Sequence, residues 1–232
     1  MKAVILAGGL GNRLKPFTQV IPKPLLPLGE KSILEIQISY LKSYGFDEIF
    51  LATNYKSDYI RSFFGDGSSH GVKLTVSKEE KPLGTCGPVK LIEDKIKEPF
   101  LVMNGDILTT LDFGKLYHHA CNQKAKLTVV TKEINMPFQF GNVYHDEMYI
   151  TGIEEKPNIK LEIVAGIYIL KPAIFQDIPE DIYFGMDDLI KKLLGDKVPI
   201  MRYLIKDYWL DIGRIEDYQE AQDIYESHFN LD

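Results

Sequence analysis

The chain has 232 residues, 45% hydrophobic and 26% charged, a length and balance that fit one large soluble α/β domain with a full core. Asp and Glu number 33 against 27 Lys and Arg, for a net charge of −6. That balance argues against a surface built to coat nucleic acid or an anionic membrane. The charge is uneven, however: residues 1–29 hold Lys2, Arg13, Lys15 and Lys23 and no acid at all.

In chain order, residues 3–6 read as a buried strand entering a glycine loop. Ser32 opens a helix, with Glu35 three residues later completing a capping-box pattern. Gly45 is placed to end that helix in the left-handed conformation. Residues 48–53 form the next strand, Ser57 caps a helix running to Phe64, and the turn-rich Gly65-Asp66-Gly67-Ser68-Ser69 leads to a strand over 72–77. Residues 88–96 look helical, with Pro88 tolerated in the first turn. Pro99 precedes a strand over 100–103, Asp112 caps a helix ending near Cys121, and 127–131 is a further strand. This alternation implies an α/β fold with a Rossmann-like, mostly parallel sheet and helices on both faces. Ligands of such sheets bind at the carboxyl ends of the strands. After about residue 132 the pattern changes. Residues 143–145, 148–153 and 163–170 read as strands with shorter connections, a small added mixed sheet, and helices over 186–194 and 215–226 follow. The reading is a single domain, 1–232, with a first half 1–131 and a second half 132–232.

Two cysteines, Cys86 and Cys121, cannot make a disulfide framework, and no C-x-x-C pair exists for zinc or redox work. They fit reduced thiols in a cytoplasmic protein. The apolar run at 3–7 is too soon interrupted by Gly8 and Gly9 to be a signal peptide. No run approaches the ~20 apolar residues of a membrane span.

The loop Gly8-Gly9-Leu10-Gly11-Asn12-Arg13 follows the first strand directly. Its glycines permit positive φ and close backbone approach, and successive N–H groups can cradle a phosphate. Arg13 can add a charged fork, with Lys15 and Lys23 nearby. On the glycines alone, a tight turn with solvated bases fits equally well. No Gly-x4-Gly-Lys-Ser/Thr string occurs. A Gly-x-Gly-x-x-Gly fingerprint starting at Gly9 fails at Leu14, and Thr53-Asn54 stands where a dinucleotide site needs an acid, so NAD chemistry is disfavoured.

The string AVILAGGLGNRLKPFT, followed by PKPLLPLG, resembles the signature of sugar-1-phosphate nucleotidyltransferases. These enzymes join a nucleoside triphosphate to a sugar 1-phosphate and release pyrophosphate. The resemblance covers nearly the whole chain and implies the nucleotide-diphospho-sugar transferase fold. It implies nucleotide contacts from Leu6, Ala7, Gly8, Gly9, Gly11, Asn12 and Arg13, with Arg13 on the leaving pyrophosphate and Lys23 beside the reacting phosphates. The segment from Glu80 through Pro82, Leu83, Gly84 and Thr85 resembles the family's nucleobase loop. Its Leu-Gly-Thr-x-Gly-Pro form is most like mannose-1-phosphate guanylyltransferases, which favours GTP; uridylyl and thymidylyl relatives have similar loops.

Asn104-Gly105-Asp106 ends an apolar strand, which places Asp106 at the ligand edge of the sheet. Asp211 lies among apolar residues, where a carboxylate is costly unless paired, hydrogen-bonded or metal-bound. Both match the family's magnesium-binding aspartates, and magnesium suits a few carboxylates plus substrate phosphates. The attacking group is itself a phosphate, mostly ionised at pH 7, so none of the five histidines needs a catalytic role; His118 and His119 read as helix-surface residues. Gly141, followed by Glu155 and Lys156, resembles the sugar-phosphate motif, with Val164 and Ala165 next to the sugar. Many relatives have Asn where Val164 stands, so the sugar differs or that contact comes from backbone or water.

The resemblance is nearest to small bacterial enzymes for aminosugar or heptose 1-phosphates, without the long β-helix of acetyltransferase-bearing relatives. The expected partners are a nucleoside triphosphate and a sugar 1-phosphate, with neither nucleic acid nor membrane. The alternatives are a uridylyl, thymidylyl or cytidylyl enzyme, or a nucleotide-sugar-binding regulatory subunit without turnover. A homo-oligomer stays open, since the aromatic-rich last helix can pack internally or form an interface.

Overall fold

The computed structural model describes residues 1–54 and 56–229. In chain order the strands and helices are β1 (Lys2–Leu6), α1 (Phe17–Val20), β2 (Pro27–Leu28), β3 (Lys31–Ser32), α2 (Ile33–Ser43), β4 (Glu48–Thr53), α3 (Ser57–Phe64), β5 (Lys73–Lys78), α4 (Gly87–Lys90), β6 (Phe100–Asn104), β7 (Ile107–Thr109) and α5 (Phe113–Asn122). There follow β8 (Leu127–Pro137), β9 (Asn142–His145), β10 (Ile150–Glu154), β11 (Asn158–Leu170), α6 (Met186–Gly195), β12 (Met201–Ile205), β13 (Trp209–Asp211) and α7 (Ile215–His228).

Seven strands form the central sheet in the order β12-β8-β11-β6-β1-β4-β5. β11 runs antiparallel to both β6 and β8, while the other neighbours are parallel. The central strands are apolar on both sides because both sides are covered. Ala3, Ile5, Ile49, Leu51, Leu101 and Met103 face a core shared with α2, α3 and α5. Val4, Phe50, Ala52, Phe100 and Val102 face a second core with α4 and α6. A third cluster, including Leu14, Leu26, Ile212, Ala221 and Tyr225, docks α7 against the exit of the glycine loop.

Local chemistry explains several boundaries. The Ser32 hydroxyl accepts from the Glu35 N–H at 3.2 Å, and Glu35 Oε2 accepts from the Ser32 N–H at 2.7 Å, so the capping box forms. At the other end of α2, the N–H of Gly45 bonds Lys42 O and that of Phe46 bonds Leu41 O, a Schellman closure. Ser32→Ala should therefore lower unfolding free energy by about 1 kcal/mol in a denaturant titration, with the fold unchanged.

Other elements differ from expectation. Ser57 is the first residue of α3 and makes no cap; Lys56, at φ 55, precedes it and reaches back to the carbonyls of Gln19 and Val20 at 2.6 and 2.8 Å. The helix expected over 88–96 stops at Lys90, and a separate tight turn follows at Glu93–Lys95; the two turns still bring Val89, Ile92 and Ile96 to one core. β8 runs on to Pro137 because β11 pairs with it as far as Asn158. Thus β11 belongs to the central sheet, while β9 and β10 form a small antiparallel sheet of their own. Among the described residues, no helix is long and apolar enough to cross a membrane.

Candidate active site

The site is built where β1 and β6 end side by side. Leu6 pairs with Asn104, and the next N–H on β6's side, from Gly105, bonds Leu6 O at 2.9 Å. A methyl group on Gly105 would lie 2.8 Å from that carbonyl oxygen, so only glycine lets the turn sit on the end of β1. Gln37, buried on α2, braces the same turn by donating to Asn104 O at 3.0 Å and Ile107 O at 2.8 Å. The glycine loop crosses above. Gly11 has φ 61 and gives its carbonyl to the buried Thr18 hydroxyl at 2.8 Å. Arg13 then lays its guanidinium over Gly213, where an added methyl would stand 3.1 Å from its Nη2.

Lys23 is buried and its ammonium pairs with Asp106 Oδ2. Asp211 reaches the same place by pairing of β13 with β7: Asp211 lies opposite Ile107, and the Ile212 N–H bonds Asp106 O at 2.9 Å. Burial pushes the Asp211 carboxyl above the ordinary carboxylate range, and the neighbouring Asp106 charge adds to this, against Lys23 and Arg13. Asp106 Oδ1 and Asp211 Oδ1 are both buried without a hydrogen-bond partner. Buried carboxylate oxygens without donors are costly, and a divalent cation satisfies both at once. Two carboxylates with room for phosphate oxygens is the donor set a hard, octahedral cation prefers. Among the described residues no three or more His, Cys, Asp or Glu are grouped so that they could hold a metal ion, so a cation here would rest, among these side chains, on this pair.

A cleft extends to both sides of Asp106. Toward the glycine loop lies a cavity of about 230 Å³ lined by Gly9, Gly11, Asn12, Arg13, Lys23 and Gly213. Toward β4 lies a cavity of about 370 Å³ that includes Leu6, Gly8, Gly9, Pro82, Gly84, Thr85 and Asn104. Ala7 and Gly105 line the narrow neck between them. The far wall of the larger cavity is made by Pro82, Gly84, Thr85 and Pro88, while Leu83, expected at the nucleotide, is buried behind them and outside the lining; the segment is held by the one before α6, where Phe184 O accepts from the N–H groups of Cys86 and Gly87, each at 3.0 Å, and Leu83 O accepts from Phe184 N–H at 2.9 Å. Glu80 is exposed and outside this lining; its neighbour Glu79 is buried and inside it. Glu79 Oε2 accepts the Leu83 N–H at 2.8 Å, and burial pushes its carboxyl up, against that bond. Lys15 is exposed and lines none of these cavities.

The second-half positions lie beside this cleft rather than in its lining. A methyl group on Gly141 would sit 3.0 Å from Glu155 Oε2, so these two meet. Lys156 is exposed and takes φ 47. Val164 is half-exposed opposite Thr131, just before an irregularity in β11. The Ala165 carbonyl accepts from Trp209 Nε1 at 2.8 Å, which ties β11 to the strand that carries Asp211. Gly166 lies against the Asn104 amide, linking these positions to the cleft.

Residues 2–228 match the family model described as nucleotidyl transferase. The chain belongs to the nucleotidyl transferase family. This nucleotidyl transferase is 34% identical over 226 residues to D-glycero-alpha-D-manno-heptose 1-phosphate guanylyltransferase of Aneurinibacillus thermoaerophilus, covering 96% of this chain and 97% of that one. It is 32% identical over 234 residues to mannose-1-phosphate guanyltransferase of Candida albicans, covering 97% of this chain. It spans 64% of the length of that relative and of the rice relatives it matches. Its fold is similar to the crystal structure of HddC from Yersinia pseudotuberculosis, with a TM-score of 0.77, 31% identity and coverage of 97% and 99%. HddC has also been solved complexed with GMP-PN.

Several residues of the nucleotidyl transferase cleft carry weak sequence signals. Glu79 and Glu80 are adjacent acids, and only the backbone turn at Leu83 decides which is drawn inward. Ala52 and Asn54 at the end of β4, and the exposed Tyr183, line the larger cavity of the cleft. Gln37 sits on an otherwise apolar helix face, where a buried amide is a signal in itself.

Proposed function

We propose that the chain is a magnesium-dependent sugar-1-phosphate guanylyltransferase of the cytoplasm, converting GTP and a sugar 1-phosphate into a GDP-sugar and pyrophosphate. The observation that carries this is the junction at Asp106: two carboxylates with unpartnered oxygens, Lys23 and Arg13 stand between an anion-sized cavity and a base-sized one.

In the reaction an oxygen of the sugar phosphate bonds the α-phosphorus as the bond to the pyrophosphate oxygen breaks. The nucleophile arrives ionised, so no side chain must take its proton. Catalysis then rests on positioning and on charge. Asp106 and Asp211 would hold the magnesium ion, which supplies positive charge to phosphate oxygens when bound. Lys23, buried beside Asp106, presents a second positive charge to the same phosphates. Arg13 faces the smaller cavity and holds the departing pyrophosphate. The acid-free stretch of residues 1–29 keeps repelling carboxylates out of that side.

Guanine is favoured by Glu79. An ionised carboxylate only accepts hydrogen bonds. Guanine offers two adjacent donors, its ring N–H and its amino group. Uracil and thymine place carbonyls on both sides of their one N–H and would meet the carboxylate with an acceptor. Relatives named as heptose and mannose guanylyltransferases agree with this reading. Gly141, Glu155, Lys156, Val164 and Ala165 form the sugar-phosphate side.

The test crosses a panel of nucleoside triphosphates with sugar 1-phosphates and reads pyrophosphate release. GTP should give product with a manno-configured sugar or heptose phosphate. Product from UTP alone removes the guanylyl assignment. Nucleotide-sugar binding without pyrophosphate release across the panel replaces an enzyme with a regulatory subunit. Val164→Asn should shift the order of sugar preference several-fold and leave nucleotide preference as it was; an unchanged sugar order means position 164 does not face the sugar.

A further inference from the structure

The larger cavity of the cleft is bounded on one side by Tyr183, from the segment 180–184 that precedes α6. Several contacts fix that segment against the loop 81–88. Phe184 shares backbone hydrogen bonds with Leu83, Cys86 and Gly87, and the Met186 N–H donates to the Thr85 hydroxyl at 2.8 Å. Gly84 takes φ 82, and a methyl group there would stand 2.6 Å from Phe184 O, so only glycine lets the two backbones meet. At the surface, Lys81 pairs with Asp181 at 2.8 Å and Lys90 reaches Glu180 at 4.0 Å. Asp181 itself takes φ 54, a conformation that a residue with a Cβ holds where its surroundings over-determine it.

Around this anchored backbone the side chains divide. Met186 is buried, and Phe184 packs against the core shared with α4 and α6. Tyr183 does neither: it is 70% exposed, yet it lines the larger cavity beside Gly84, Thr85 and Pro88. Among the described residues, no other aromatic side chain lines the cleft. A tyrosine can bury roughly 150–250 Å², and a ring held out of the core forgoes most of that gain. A flat ligand entering the cavity would cover it.

We propose that Tyr183 is the platform on which the nucleobase stacks. The inference rests on the reading of the larger cavity as the base side of the cleft. Every base has a π face whatever hydrogen bonds its edge can make, so an aromatic ring adds affinity without choosing among bases. The choice falls to Glu79, in the lining of the same cavity, which meets the edge. Tyrosine suits the platform because its ring is rigid and has few torsions to fix. The segment that carries it is already bound to the loop 81–88, so little ordering remains to oppose binding.

Calorimetric titration of GTP and of UTP into the full chain, with magnesium and without sugar phosphate, measures the affinity. Tyr183→Ala should weaken the nucleotide that the wild type holds best by about 5–150-fold, while Tyr183→Phe, which keeps the π face, should stay within about threefold. Should alanine disturb the segment, the chain labelled with fluorotyrosine decides. The fluorine resonance that is missing from Tyr183→Phe should shift when nucleotide is added, and should barely move with inorganic tripolyphosphate, which has no base. A wild type that prefers UTP, and is weakened in the same way by Tyr183→Ala, upholds the platform while removing the guanylyl reading. An alanine variant that binds as the wild type does overturns the proposal. So does a phenylalanine variant as weak as the alanine one, which would assign the effect to the hydroxyl, or a resonance indifferent to nucleotide. A wild type that binds neither nucleotide overturns both readings.

Discussion

Asp106→Asn should lower kcat by about 10²–10³-fold, and Asp211→Asn should do the same, with the fold intact in both. The two carboxylates meet only because β13 pairs with β7, and each keeps one buried oxygen without a donor. Asn retains the shape but removes the charge that a cation and its phosphates require. Stability should move the other way at Asp211. Its folded carboxyl titrates above the ordinary range because of burial and the Asp106 charge. A raised folded value means that the stability contribution is full below the unfolded carboxylate range and is lost as pH rises through the folded value. At neutral pH the ionised Asp211 is therefore a cost, and Asp211→Asn should melt at or above the wild-type temperature. Pyrophosphate release, thermal unfolding and manganese binding by electron paramagnetic resonance measure the three effects. Full turnover in either variant, or undiminished manganese binding in both, removes the metal assignment.

Glu79→Ala should lower kcat/KM for GTP by roughly 10–150-fold, the loss of a charged hydrogen bond worth about 1.5–3 kcal/mol. Glu79→Gln should relax discrimination against UTP, since its amide can donate to a carbonyl. The pH dependence has a definite sign. Burial raises the Glu79 carboxyl, so as pH falls from neutrality it takes up a proton earlier than an ordinary glutamate. KM for GTP should then rise on the acid side in the wild type and stay flatter in Glu79→Gln. The same burial makes the ionised Glu79 a cost at neutral pH, so Glu79→Gln should not be less stable there. Equal GTP and UTP kinetics in wild type and both variants would place the base elsewhere in the cleft.

Much of this site is legible along the chain because it is local. A glycine loop after an apolar strand, a buried-strand end carrying Asn104-Gly105-Asp106, and the Ser32–Glu35 capping box depend on residues a few positions apart. The short pairs β7–β13 and β2–β3 were not legible, because two or three residues carry no period. The length of β8 and β11 was also hidden: their outer halves alternate apolar and polar residues as any exposed ribbon does, and only mutual pairing extends them. Glu79 was masked by Glu80, because choosing between adjacent acids needs the turn that brings the Leu83 N–H inward.

The opening charge pattern shows the division most clearly. Sequence alone determined that residues 1–29 would be acid-free and basic, that the strands would be buried on both faces, and which family signature the chain carries. These are properties of composition and short spacing. Tertiary structure decided which of the many later acids return to that basic stretch: Asp106 through the close of β6 onto β1, Asp211 through a ladder 105 residues away in sequence, and Glu79 through a single backbone hydrogen bond. The reason is physical. A buried carboxylate is tolerated only where donors or cations converge on it, and convergence is a property of packed elements, not of neighbours in the chain.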